Sequence, residues 1–172
     1  MNLFRRRSAS VEPPFMRLWD AIVAEARNPE WYLRHDVPDT IDGRFDMVAL
    51  VSALVMLRFE HEGLRQEGVW LTERFVEDMD GSLREIGVGD LVVGKHVGNM
   101  VGALGGRLGA YRAALAPDAA AGQLEAALAR NIYRREPSAC VPDTLRALAE
   151  DVQALWLRIG GAELSGLKEG RF

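Results

Sequence analysis

From Met47 to Leu57 the chain reads Met-Val-Ala-Leu-Val-Ser-Ala-Leu-Val-Met-Leu, with one hydroxyl and no charge, and Asp46 and Arg58 bracket it. The run is about half the roughly 20 residues a helix needs to cross a bilayer. It is also longer than a typical strand of 4–8 residues. A helix from about residue 44 to 62 satisfies both limits, but it is apolar on nearly every side. Such a helix must be enclosed by other elements, so the rest of the chain has to supply its walls.

The flanking sequence supplies them as helices. Phe15, Trp19, Ile22 and Ala26 recur at three- and four-residue steps, and Asn28-Pro29 stops that first helix. Residues 31–43, with Pro38 and Asp42-Gly43, are expected to form a polar connecting loop. After breaks at Gly63 and Gly68, a third helix over about 69–86 carries the stripe Leu71, Phe75, Met79, Leu83 and Ile86. Its outer face carries Glu73, Glu77, Asp80 and Arg84. A fourth, about 91–115, repeats Val93, Val97, Met100, Leu104, Leu108, Tyr111 and Leu115. Pro117-Asp118 opens a fifth through Leu124, Leu128 and Ile132, which Arg134 and Arg135 close. Pro142 opens a sixth, ending at Gly160-Gly161. No alternating β pattern or internal repeat occurs. The expected fold is all-α, a single-domain bundle of about six helices over residues 15–172, preceded by a disordered basic arm over 1–14.

Charge and cysteine content narrow the function. A formal charge of −4 argues against nucleic-acid recognition, which draws on a basic excess. With one cysteine, Cys140, the chain can build neither an internal disulfide nor a thiolate metal cluster, as suits a reducing compartment. No secretory signal follows Arg5, Arg6 and Arg7. That basic tip is either solvated or in weak contact with an anionic membrane surface or RNA.

Catalytic and cofactor motifs are incomplete. Gly89-Asp-Leu-Val-Val-Gly94-Lys95 begins like a phosphate loop, but His96 replaces the hydroxyl residue and a helix, not a strand, precedes it. Asp78 and Asp80 point about 200° apart on a helix and cannot grip one ion together. His35, His61 and His96 stand at no ligand spacing, and Cys140 has no base nearby. No metal, cofactor or catalytic residue is expected.

The segment from Asp78 to Lys95 reads instead as a sharp corner between two helices. Gly87 or Gly89 supplies the positive φ and Asp90 caps the second helix. Residues 60–90 hold nine acidic and three basic residues, whereas 91–115 hold three basic and no acidic ones. The acidic face is either solvated, with helical pairs such as Glu77–Arg84 or Arg74–Asp78, or turned to a partner. Gly94, Gly98, Gly102 and Gly106 recur every four residues. Each costs a helix about 1 kcal/mol relative to alanine, so the space they leave should be used. Either a helix of the same bundle fills it, or a partner helix does.

Several of these residues carry a resemblance. Val37-Pro-Asp-Thr, Gly43-Arg-Phe-Asp46, Asp78-Met-Asp80, Leu83-Arg-Glu-Ile-Gly-Val-Gly-Asp90, Gly94-Lys95, Gly106-Arg107, Ala110-Tyr111 and Arg130-Asn131 resemble, in order and spacing, the ubiquinol–cytochrome c chaperone family. The similarity runs from about Ala26 to Tyr133. It implies an all-helical, non-enzymatic assembly factor of respiratory complex III. Mitochondrial members pair with a small partner, bind near the ribosomal exit tunnel and hold newly made cytochrome b during haem insertion. Without the long N-terminal extension of those members, the sequence resembles the shorter bacterial form, which implies a cytoplasmic place, either free or peripheral at the inner membrane.

The expected partner is therefore nascent cytochrome b or another complex III component, with ribosome or membrane-surface contact open and the oligomeric state unset. The expected protein-binding residues are Asp78, Asp80, Arg84, Glu85, Asp90, Gly94, Lys95, Gly98, Gly102 and Arg107. A helical carrier of a lipid or small molecule, held between the apolar helix and the glycines, is the alternative.

Overall fold

The structure, a computed structural model, describes residues 15–85 and 90–172. The helix that must be enclosed is α3 (Ile41–His61), and residues 46–57 of it are all buried. Four helices form its walls: α1 (Met16–Ala26), α4 (Arg65–Glu85), α5 (Asp90–Ala114) and α7 (Pro142–Gly161) each pack against it. The circle closes through α6 (Gln123–Asn131), which lies between α5 and α7. Leu18, Trp19 and Ile22 of α1, Leu71 and Phe75 of α4, Tyr111 of α5 and Leu148 and Val152 of α7 complete the core. Among the described residues the chain is all-α and holds no strand.

Two further helices bring the described α-helices to eight, against the six expected. The expected loop over 31–43 opens with α2 (Pro29–Arg34), where Asn28 accepts a hydrogen bond from the Glu30 amide and buries Trp31. Near the end, α8 (Leu164–Lys168) buries Leu167 and returns to α1. The fifth helix expected from Pro117 begins later, at Gln123, after Gly122 adopts a left-handed φ of 78°. The sixth ends where its glycines stand, since α7 spans Pro142–Gly161 and Ala162 is its C-cap. At the other chain end, residues 1–14 lie outside the described residues.

The start of α3 is fixed by local chemistry. Thr40 accepts a hydrogen bond from the Gly43 amide and caps the helix. A Cβ on Gly43 would stand 1.9 Å from the Pro38 carbonyl oxygen, so only glycine admits the preceding loop. One turn on, Asp46 is 1% exposed. Its carboxylate accepts hydrogen bonds from Arg107 of α5 and, at 3.1 Å, from Nε of Arg134 beyond α6. Arg134 also reaches Asp42 at 2.9 Å and has a left-handed φ of 54°. Burial pushes the Asp46 carboxyl above its ordinary pKa, while hydrogen bonds and charges from Arg134 and Arg107 oppose the rise. The guanidinium of Arg107 also lies 5.5 Å from the Phe45 ring centroid.

Removing one member of such a buried pair leaves an uncompensated charge, which costs about 3–5 kcal/mol. Asp46→Ala should lower the unfolding free energy by that amount in a urea titration; a loss under about 1 kcal/mol would show that Arg107 finds water instead. A second effect is pH-dependent. Lys168 of α8 donates to Glu67 of α4 at 2.8 Å and holds its carboxyl below the ordinary range. A depressed carboxylate stabilises the fold above its unfolded pKa, about 4.3, and stops doing so as pH falls through the folded value. The difference in urea midpoint between Lys168→Met and the parent should therefore be present at pH 6 and fade below pH about 4.

Candidate functional site

The two long helices α4 and α5 are joined by four residues and pack on each other as a helical hairpin. The corner expected at Gly87–Gly89 lies outside the described residues, as do the side chains of Leu83, Asp90, Leu91, Val92 and Val93. Helix α5 does begin at Asp90. Along it, burial is lopsided. Among residues 94–110 only Leu104 is buried, whereas Tyr111 and Ala114 are buried near the C-terminal end. Val97, Met100, Val101 and Ala103 are half-buried. Residues 94–103 thus hold no fully buried side chain, and Leu104, Tyr111 and Ala114 anchor the helix.

The glycines occupy the exposed side of that half. Gly94, Gly98, Gly102, Gly105 and Gly106 are exposed. Beyond its own helical turns, an added Cβ at any of them, or at Gly109, would meet no heavy atom of the described residues within 4 Å. No helix of the described chain fills the space, so of the two uses considered for it the internal one is not realised among the described residues. The result is a ridge of bare backbone on which another helix could lie at short axial distance.

Its charged surroundings are thinner than the residue count suggests. Five of the nine carboxylates over 60–90 are already paired: Glu60 with Arg112, Glu62 with Arg58, Glu67 with Lys168, Glu77 with Arg74 and Asp80 with Arg84. The helical pairs expected as Glu77–Arg84 and Arg74–Asp78 are instead Arg74–Glu77 and, at 2.7 Å, Arg84–Asp80. The three- and four-residue spacings bring those heads together on one face. Glu73, Asp78 and Glu85 keep no ion pair among the described residues.

On α5, Arg112 turns to Glu60 at 2.8 Å and Arg107 turns inward to Asp46. Only Lys95 remains exposed and unpaired among its described basic side chains. Arg107 thus sits beneath the ridge, holding α5 against α3. Sequence spacing could not reveal this, because its partner lies 61 residues away.

The remaining polar candidates are dispersed. His35 is buried, with Nε2 2.7 Å from an Asp151 carboxylate oxygen. His61 stacks edge-on against Trp156, and His96 is exposed. Burial raises the Tyr133 hydroxyl to about 12, and it donates to the His35 carbonyl. Cys140 lines a small surface hollow with Asp36, Tyr133 and Arg135. Among the described residues no three His, Cys, Asp or Glu side chains are placed to hold a metal ion. No described helix is long and apolar enough to cross a membrane. The face of α3 that a lipid carrier would use is covered by α1, α4, α5 and α7.

A feature not singled out in the sequence lies on the outer side of α4. Val69, Thr72, Glu73, Val76 and Glu77 line a shallow depression of about 530 Å³, and Val69 is 50% exposed. The signal was available: Val69, Thr72 and Val76 stand at the three- and four-residue steps that share one helix face.

Fold and exposed surface together define an all-helical domain with a hairpin whose glycine ridge projects from the core. The sequence profile of ubiquinol–cytochrome C chaperones matches residues 33–159, and the chain belongs to that family. The crystal structure of the Cbp3 homolog from Brucella abortus is similar, with a TM-score of 0.74 and 34% sequence identity. That match covers 91% of this chain and 85% of the other. No curated protein matches.

The exposed ridge makes a direct stability prediction. With nothing contacting the added methyl groups, Gly94→Ala, Gly98→Ala and Gly102→Ala should each raise the unfolding free energy by about 1 kcal/mol. Urea titration checks this, and a destabilised variant would reveal a contact on the ridge.

Proposed function

We propose that this protein is an assembly chaperone of ubiquinol–cytochrome c reductase that holds newly made cytochrome b, or a related apolar helical client, along the α4–α5 hairpin. The observation that carries this is the open ridge: Gly94, Gly98 and Gly102 present backbone with no side chain and, among the described residues, no neighbour from another helix. A client helix laid there would gain close van der Waals contact. Half-buried Val97, Met100 and Val101 add apolar surface alongside.

Charge then sets the orientation. Lys95 is the exposed cation on α5, Asp78, Glu85 and the Arg84–Asp80 pair are the charges on α4, and Asp90 opens α5. Arg107 contributes indirectly, by fixing where α5 crosses α3. Family membership supports a holding role without chemistry of its own, and haem would belong to the client. A cytoplasmic protein acting peripherally at the inner membrane fits a client that is about to be inserted.

Gly98→Leu tests the assignment. The variant should melt within a few degrees of the parent and lose most of its client, measured by co-purification of cytochrome b from cells carrying tagged protein. Undiminished capture would move the site off the ridge. A photo-crosslinker at Asn99, beside Gly98, should attach to a complex III subunit, and attachment only to unrelated proteins would overturn the proposed client.

A further inference from the structure

The outer face of α4 is built to receive something other than the ridge's occupant. Two rows run along it: Val69, Thr72 and Val76 form a largely apolar row, and Trp70 followed by the carboxylates of Glu73 and Glu77 forms a second beside it. Each row keeps the spacing of neighbours on a helix surface. The depression between them is lined by Val69, Thr72, Glu73, Val76 and Glu77. Val69 is 50% exposed and Trp70 36% exposed. Glu73 has no ion pair among the described residues, and the Glu77 side chain is 62% exposed despite its contact with Arg74.

The described chain begins beside this face. The Phe15 ring packs against Phe59 and lies 5.7 Å from the Trp70 ring, so the first described residue sits next to the base of both rows. Residues 1–14 read Met-Asn-Leu-Phe-Arg-Arg-Arg-Ser-Ala-Ser-Val-Glu-Pro-Pro. They carry what the face lacks: three consecutive cations, with Leu3 and Phe4 in front of them. Reach is ample. The eight residues from Arg7 to Phe15 span up to about 27 Å when extended, while Val69 to Val76 covers only about 11 Å of helix.

We propose that residues 1–14 dock on the outer face of α4, with Arg5, Arg6 and Arg7 on Glu73 and Glu77 and the Leu3-Phe4 pair against Val69 and Val76. The arm would cover the acidic side of the hairpin and leave the ridge on α5 open. This rests on the face of α4, the place of Phe15 beside it and the composition of the arm, and stands whether or not the ridge binds a client.

Disulfide trapping in the full chain tests it. In a Cys140→Ser background, Ser8→Cys is paired with Thr72→Cys on the proposed face, or with Leu157→Cys on α7 as an exposed control. Docking raises the effective concentration of the first pair, so it should close under mild oxidation at least about tenfold faster than the control. Replacing all three arginines by glutamate should abolish that advantage, and adding Glu73→Lys with Glu77→Lys should restore it. Equal rates for the two pairs would overturn the proposal. So would disulfide-linked dimers in place of the internal bond, which would make a second copy the occupant. Binding of the parent, but not of the arginine variant, to anionic phosphatidylglycerol vesicles without preferential trapping would assign the arm to a membrane surface.

Discussion

A carboxylate sealed inside a helical bundle is tolerated only when cations come to it, and that requirement organises much of this protein. Asp46 sits one turn into α3 at 1% exposure. It is met by Arg107 from α5 and Arg134 from beyond α6. Apolar burial alone would let helices slide along one another at small cost. A directed charge pair does not, because a shift of a few ångströms strands an ion in a low-dielectric interior. The contact therefore sets where α5 crosses the central helix, and with it how much of α5 extends beyond the core.

The fold was legible where the chain writes it in long periodic segments. An eleven-residue uncharged run can only be surrounded, and the flanking stripes at three- and four-residue steps identify what surrounds it. The elements that escaped were short. At six and five residues, α2 and α8 are too brief to show a period. They exist because Asn28 caps one and buried Trp31 and Leu167 anchor them. Pro117 looked like a helix start, yet the chain turns there and waits for Gly122.

The candidate site was only partly legible, for a physical reason. Glycine spacing shows that side chains are missing along a line, but whether a neighbour fills that line is a property of packing and not of the line itself. Charge is harder still. Nine carboxylates over thirty-one residues suggest a strongly negative face, yet most are matched locally or by partners more than fifty positions away, as Glu60 is by Arg112 and Glu67 by Lys168. What remains for another molecule is a handful of uncompensated groups.

The lopsided anchoring of α5 has an energetic corollary. Over residues 94–102 the helix combines glycines of poor intrinsic helicity with no fully buried side chain, while its closing turns are held by Tyr111, Ala114 and the ion pair below. Melting those first turns exposes little apolar area and regains the large backbone entropy of glycine. A low-cost sub-global opening beside a rigid hub is the expected result, with amide protons near Gly98 exchanging before those of α3.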